Sequence, residues 1–129
     1  MWWSEIEDKV FTYVESYMMD DYPELNCTTK GDNIVDAEMP TLYLHELTSI
    51  ETGQDLDNTT INAVISTIEI VVYTNTTESE CRQFVSKAIS LMKELRYNVV
   101  AFPDAVTQNN VAMAVARFRR VIGMSDKLY

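Results

Sequence analysis

The chain has 129 residues, 47% of them hydrophobic and 23% charged, a mixture that folds around a core and lies far from the low-hydrophobicity, high-charge signature of disorder. That length fits one domain over 1–129, which buries enough surface to need neither a disulfide nor a metal staple. A formal charge of −10 argues against general affinity for nucleic acid, which needs clustered Lys and Arg against the phosphates.

The amino-terminal stretch Met1-Trp2-Trp3-Ser4-Glu5-Ile6-Glu7-Asp8 has no basic and no apolar run, so no secretory signal is expected. No segment approaches the roughly 18 uninterrupted apolar residues of a membrane span, and no membrane partner is expected. Asn26, Asn58 and Asn75 begin Asn-x-Thr triplets, read as chance in a Thr-rich chain without a secretory route. Cys27 and Cys81 lack a CxxC partner and a nearby His cluster, and are read as reduced, partly buried thiols.

In chain order, Ser4 and Glu7 make a capping box, and Ile6, Val10, Phe11, Val14, Tyr17 and Met18 recur at helical spacing. A helix is expected over 4–21, closed by Tyr22-Pro23 because the position before proline disfavours α geometry. Trp2 and Trp3 stand where a hydrophobic staple or an exposed anchor would sit. Residues 24–38 are polar, and Gly31 with Asp32-Asn33 signals a turn that could join two short strands.

Residues 41–47 alternate, Leu42 and Leu44 facing one way and Tyr43 and His45 the other, which is the pattern of a half-buried strand. Residues 48–60 have no periodic apolar pattern and are acidic through Glu51, Asp55 and Asp57. They are expected to form a long loop, uncommon in a compact domain unless functional or ordered by a partner. The clearest strand is 61–73, where β-branched residues dominate and Ile68, Ile70 and Val72 share a face, so it is expected at the centre of a sheet.

Thr77 and Glu80 make a second capping box ahead of the stripe Phe84, Val85, Ala88, Ile89, Met92 and Leu95, giving a helix over 77–96. Residues 97–102 read as a short strand stopped by Pro103. Over 111–122 the alanines permit a helix. Strict alternation nevertheless sets Val111, Met113, Val115, Arg117, Arg119 and Val121 on one side, and a strand is expected. The order predicts an α+β fold, a mixed or mainly antiparallel sheet with two helices packed on one face.

Catalytic signatures do not emerge from these elements. His45 lies mid-strand beside Glu46, so the two side chains point to opposite faces and make no dyad. Asp20-Asp21 lacks further oxygen ligands for a cation. Asp55-Leu56-Asp57-Asn58 begins a calcium-loop rhythm without the glycine at its sixth position or the glutamate at its twelfth. Neither GxSxG nor a glycine-rich phosphate cradle with lysine occurs. No catalytic residue, cofactor or metal site is expected, and the chain is read as a structural subunit and not an enzyme.

Charge is distributed unevenly. Residues 1–81 carry −15 and residues 82–129 carry +5. The strip Arg117, Arg119 and Arg120 on one copy is the complement of Glu51, Asp55 and Asp57 on another, which favours head-to-tail contacts that close into rings. The alternatives are two differently solvated surfaces and a charged edge that discourages sheet-to-sheet aggregation.

Three stretches, Glu51-Thr52-Gly53-Gln54-Asp55-Leu56-Asp57, Ile68-Glu69-Ile70-Val71-Val72-Tyr73-Thr74-Asn75 and Arg117-Phe118-Arg119-Arg120-Val121-Ile122-Gly123, sit in a layout of helix, strands, helix and strands. In that layout and length the chain resembles the tail-terminator or tail-completion proteins of long-tailed bacteriophages. The likeness covers nearly all of the chain and rests on composition and order. It implies a non-enzymatic ring of subunits in the virion, at the head-proximal end of the tail, made in the host bacterial cytoplasm. That ring caps the tail tube protein and meets the head-tail connector proteins. By the same resemblance, the long loop reaches toward a neighbour or the tube. A stopper or adaptor ring of the connector is the nearest alternative reading, and a small ligand-binding or regulatory α+β domain is the alternative of another class.

Overall fold

A run rich in Ile and Val is stiff at χ1 and packs well on a pleated surface, and here such a run forms the middle of the sheet. The computed structural model describes residues 2–29, 40–54, 61–101, 105–123, 125–126 and 128. A 3-10 turn, Trp2–Glu5, leads into helix α1, Ile6–Asp21, followed by strands β1, Asn26–Thr28, β2, Thr41–Gln54, and β3, Ile61–Thr74. Helix α2, Glu78–Glu94, is followed by β4, Asn98–Ala101, β5, Val106–Gln108, and β6, Val111–Gly123.

The six strands form one sheet in the order β1-β2-β3-β6-β4. Strand β5 pairs with the first residues of β6, on the edge that β4 occupies farther along. Strand β1 runs parallel to β2 and every other pairing is antiparallel, so the fold is the expected α+β type with a mixed, mostly antiparallel sheet. In β2 and β3 the side expected to hold Leu42, Leu44, Ile68, Ile70 and Val72 is the buried one, whereas in β6 the side expected to hold Val111, Met113, Val115, Arg117, Arg119 and Val121 is the open one and the even positions are buried. Leu42 lies opposite Val72, Ile70 opposite Ala116 and Ile68 opposite Phe118, all fully or almost fully buried. Helix α1 adds Ile6, Val10, Val14 and Met18 to this core, and α2 adds Phe84, Val85, Ala88, Leu91 and Met92.

Helix ends depart in part from the sequence pattern. The N-cap of α1 is Glu5, which makes no side-chain cap hydrogen bond, so the Ser4 and Glu7 box does not start the helix. The Glu7 carboxylate instead accepts the Glu46 backbone amide at 2.8 Å, tying α1 to β2. At α2, Thr77 Oγ1 accepts the Glu80 amide at 3.1 Å, half of the expected box, while the Glu80 carboxylate turns to the Thr76 hydroxyl. Helix α2 closes with a doubled cap: the Tyr97 amide donates to Met92 and the Arg96 amide to Lys93. Arg96 takes the left-handed φ of 66° that this cap demands, a position glycine usually fills. Asn109 and Asn110, with φ of 54° and 66°, form the tight turn between β5 and β6.

The expected loop at 48–60 is corrected over its first half, because β2 continues to Gln54 and pairs with β3 as far as Ile61. Register shifts between Glu46 and Thr48 and between Glu51 and Gly53 interrupt the alternation of faces, so the period-2 signal fades although the strand goes on. Residues 55–60, with Asp55 and Asp57, lie outside the described residues. So do 30–39, which include Gly31 and Asp32-Asn33, and 102–104 with Pro103.

Candidate interaction face

Both helices cover the same side of the sheet, so the other side is open. Five of the seven large hydrophobic side chains described as exposed stand on that open side: Leu47, Val100, Val106, Met113 and Val121. Val71, at its middle between Tyr43 and Val115 of the neighbouring strands, is 5% exposed. Exposed apolar residues scattered singly are ordinary, whereas their concentration on one face marks an interaction surface.

A charged row crosses the middle of this face. His45 lies opposite Glu69 in the neighbouring strand, and Glu69 lies opposite Arg117 in the next. The Arg117 Nε–H donates to Glu69 Oε2 at 2.8 Å. His45 Nε2 donates to Glu69 Oε1 at 2.8 Å, since an ionised carboxylate has no hydrogen to give. Burial pushes the Glu69 carboxyl up, but the hydrogen bonds from Arg117 and His45 outweigh it and hold the group below the usual carboxylate range. The Tyr43 ring stacks on His45 with centroids 4.4 Å apart and planes within 4°. Three strands are thereby clamped across their width.

Toward the β4 end, a shallow depression of about 480 Å³ is walled by Leu47, Ile65, Val100, Arg117 and Arg119. A smaller apolar hollow of about 240 Å³ lies at the opposite end of the face, between Tyr73, Val106, Val111 and Met113. The face therefore presents apolar ground at both ends, with cations beside one of them. It suits a flat partner surface better than a small molecule, which binds in an enclosing cleft.

Of the residues expected at an interface, Arg117 and Arg119 do share the open face, as the alternation required. Arg117 is already paired with Glu69 in its own chain, and Arg119 makes no ion pair with a described residue. Arg120 is corrected: it lies on the helix-covered side, 8% exposed, because an even position of β6 faces the core. There its guanidinium donates to the Leu95 carbonyl at 3.1 Å and pairs with Asp126. Glu51 is a β2 residue opposite Val64, and Asp55 and Asp57 lie outside the described residues.

His45 and Glu46 do point to opposite faces, and the carboxylate that reaches His45 is that of Glu69. The partner is 24 positions away and comes from strand register, which the sequence does not display. A second polar group lies under the helices, where Ser66 bonds to Glu46 at 3.1 Å and to the Tyr97 hydroxyl at 2.9 Å. Ser66 is fully buried, so this seam has no access for a substrate and orders the core. The thiols are free. Burial pushes Cys27 up to about 12 and Cys81 up to about 11, and the Cys81 thiol donates to the Val72 carbonyl.

Among the described residues no group of three or more His, Cys, Asp or Glu is placed to hold a metal ion, and no helix is long and apolar enough to cross a membrane. Compared with known proteins, the chain matches no family model and no curated protein.

Proposed function

We propose that the chain is a non-enzymatic subunit of a long-tailed bacteriophage virion, a tail-terminator protein that forms a ring on the head-proximal end of the tail tube. The observation that carries this reading is the open sheet face. Exposed Leu47, Val100, Val106, Met113 and Val121 gather on the side without helices, next to Arg119, a cation with no ion pair among the described residues. A face of that kind is stable in water alone yet gains by being covered, which is the requirement for a subunit made free and assembled later. The resemblance in layout and in the three quoted stretches supplies the setting, in which the covering surface belongs to a neighbouring copy or to the tube.

Mixing the purified protein with tail tubes of the same phage and sedimenting the mixture tests the reading. The protein is expected to co-sediment with tubes at a small fixed ratio to tube ends, and Val121→Asp together with Met113→Asp is expected to abolish this while leaving the monomer folded. Protein that stays in the supernatant at every concentration, or that coats tubes along their length, would contradict it. The connector alternative predicts co-sedimentation with heads and not with tails.

A further inference from the structure

We propose that the β4 edge of the sheet is a binding site for an extended, acidic segment of another protein, which adds there as a further strand. Strand β4 has β6 on one side and no described strand on the other. Its Asn98, Val100 and Ala101 are exposed, so the edge is open to solvent. Alternate main-chain N–H and C=O groups of an edge strand point away from the sheet and are a template for another strand, through hydrogen bonds that need no particular side chain. Side chains of an added strand alternate between the two sides of the sheet, and here a hollow lies on each side. On the helix side, one of about 510 Å³ is walled by Lys93, Arg96, Tyr97, Asn98 and Val99. On the open side, the depression of about 480 Å³ reaches the edge at Val100 and Ala101, which a register shift between Val99 and Ala101 brings to it together.

Charge sets the chemistry of the occupant. Arg96 and Arg117 are engaged with Asp126 and Glu69. Lys93 and Arg119 make no ion pair with a described residue, and one stands at each hollow. Two β4 edges brought together would set the Lys93 and Arg119 of one copy against those of the other, which is how a charged edge avoids pairing with itself. The same cations admit a strand of opposite sign. Among the described side chains, the strand carboxylates that a second copy could bring are already held, Glu46 by Ser66 and Glu69 by Arg117 and His45. The acidic strand is therefore one of another protein, with carboxylates toward Lys93 on one side and apolar groups with a carboxylate toward Val100 and Arg119 on the other.

An added strand extends the sheet and leaves its open face uncovered, so this inference needs no bacteriophage setting and the isolated chain tests it. The probe is the peptide acetyl-Thr-Val-Glu-Val-Glu-Glu-Thr-amide, titrated into the labelled protein and followed by amide NMR. Saturable shifts at 98–101 with a Kd of about 0.1 mM are expected at about 50 mM salt, weakened about tenfold at about 500 mM. Methylating alternate peptide nitrogens should abolish binding in one of the two possible sets and spare it in the other, because only one set faces β4. Lys93→Glu and Arg119→Glu should each weaken binding about threefold at an unchanged circular dichroism spectrum. Should either reversal disturb folding, the peptide with Lys in place of each Glu tests the charge on the parent protein and is expected not to bind. Unshifted amides at 98–101 up to about 1 mM peptide, equal binding of the lysine peptide, or indifference to both methylated sets would overturn the proposal. So would concentration-dependent shifts at 98–101 without peptide, which would give the edge to a second copy.

Discussion

Arg117 and Arg120 stand three positions apart in β6 and meet different surroundings. Arg120 is 8% exposed and bonded to Leu95 and Asp126, so removing it takes this donor from the Leu95 carbonyl under the helices and leaves the Asp126 carboxylate with Arg96. Arg120→Ala is expected to cost about 3 kcal/mol or more in denaturant unfolding. Arg117 is 53% exposed, and its bond to Glu69 is screened by water, so Arg117→Ala is expected to cost about 1 kcal/mol or less. Equal losses in the two variants would contradict the assignment of faces. Glu69 adds a pH dependence. Its folded carboxyl is held below the ordinary value of 4.5, so its contribution is fully present above that value and is lost as pH falls through the lower, folded one. Glu69→Gln is expected to unfold less steeply with acid below about pH 4.5 than the parent. An unchanged acid slope would mean that the row does not hold the carboxylate ionised.

The amphipathic stripe of α2 includes Ile89, but Ile89 is only partly buried, whereas Met92 three positions on is fully buried. Met92→Ala is therefore expected to cost about 2 to 5 kcal/mol and Ile89→Ala distinctly less. Urea midpoints in the reverse order would show that α2 is rotated on the sheet. At the β5 to β6 turn, Asn110→Val places a β-branched residue at a φ of 66° and is expected to cost about 1 to 2 kcal/mol. The strands over 41–47, 61–73 and 111–122 were legible because one side of each is covered and the other is open, which writes a period of two into the sequence. The continuation of β2 over 48–54 was not, since three register shifts interrupt that period. Nor could the false box at Ser4 and Glu7 be told from the true cap at Thr77 without the surroundings, as Glu7 is drawn to a strand amide 39 positions away. Of the interaction face, the shared side of Arg117 and Arg119 was readable. The row His45, Glu69 and Arg117 was hidden, because its three members come from three strands brought together only by sheet register.

For the molecule as a whole, several weak acids are kept neutral by folding. Tyr97 is pushed up to about 12 by burial, with the Ser66 hydrogen bond opposing, and Tyr13 to about 12 by its hydrogen bond to Glu94. Cys27 and Cys81 are raised by burial to about 12 and about 11. A raised acid contributes stability below its ordinary value and loses it as pH rises through the folded one. The melting temperature is therefore expected to fall steeply between about pH 9 and 12, with both thiols slow toward thiol reagents near pH 8. That base-sensitive core lies on one side of the sheet and the open apolar face on the other, an arrangement in which assembly need not disturb the fold. Electron microscopy of tail tubes incubated with the protein tests the assembly reading most directly. A single ring closing one end of each tube, with the open sheet face against the tube or the adjoining copy, is the predicted image. Bare tube ends, or rings in which the face carrying Met113, Val121 and Arg119 looks into solvent, would contradict it.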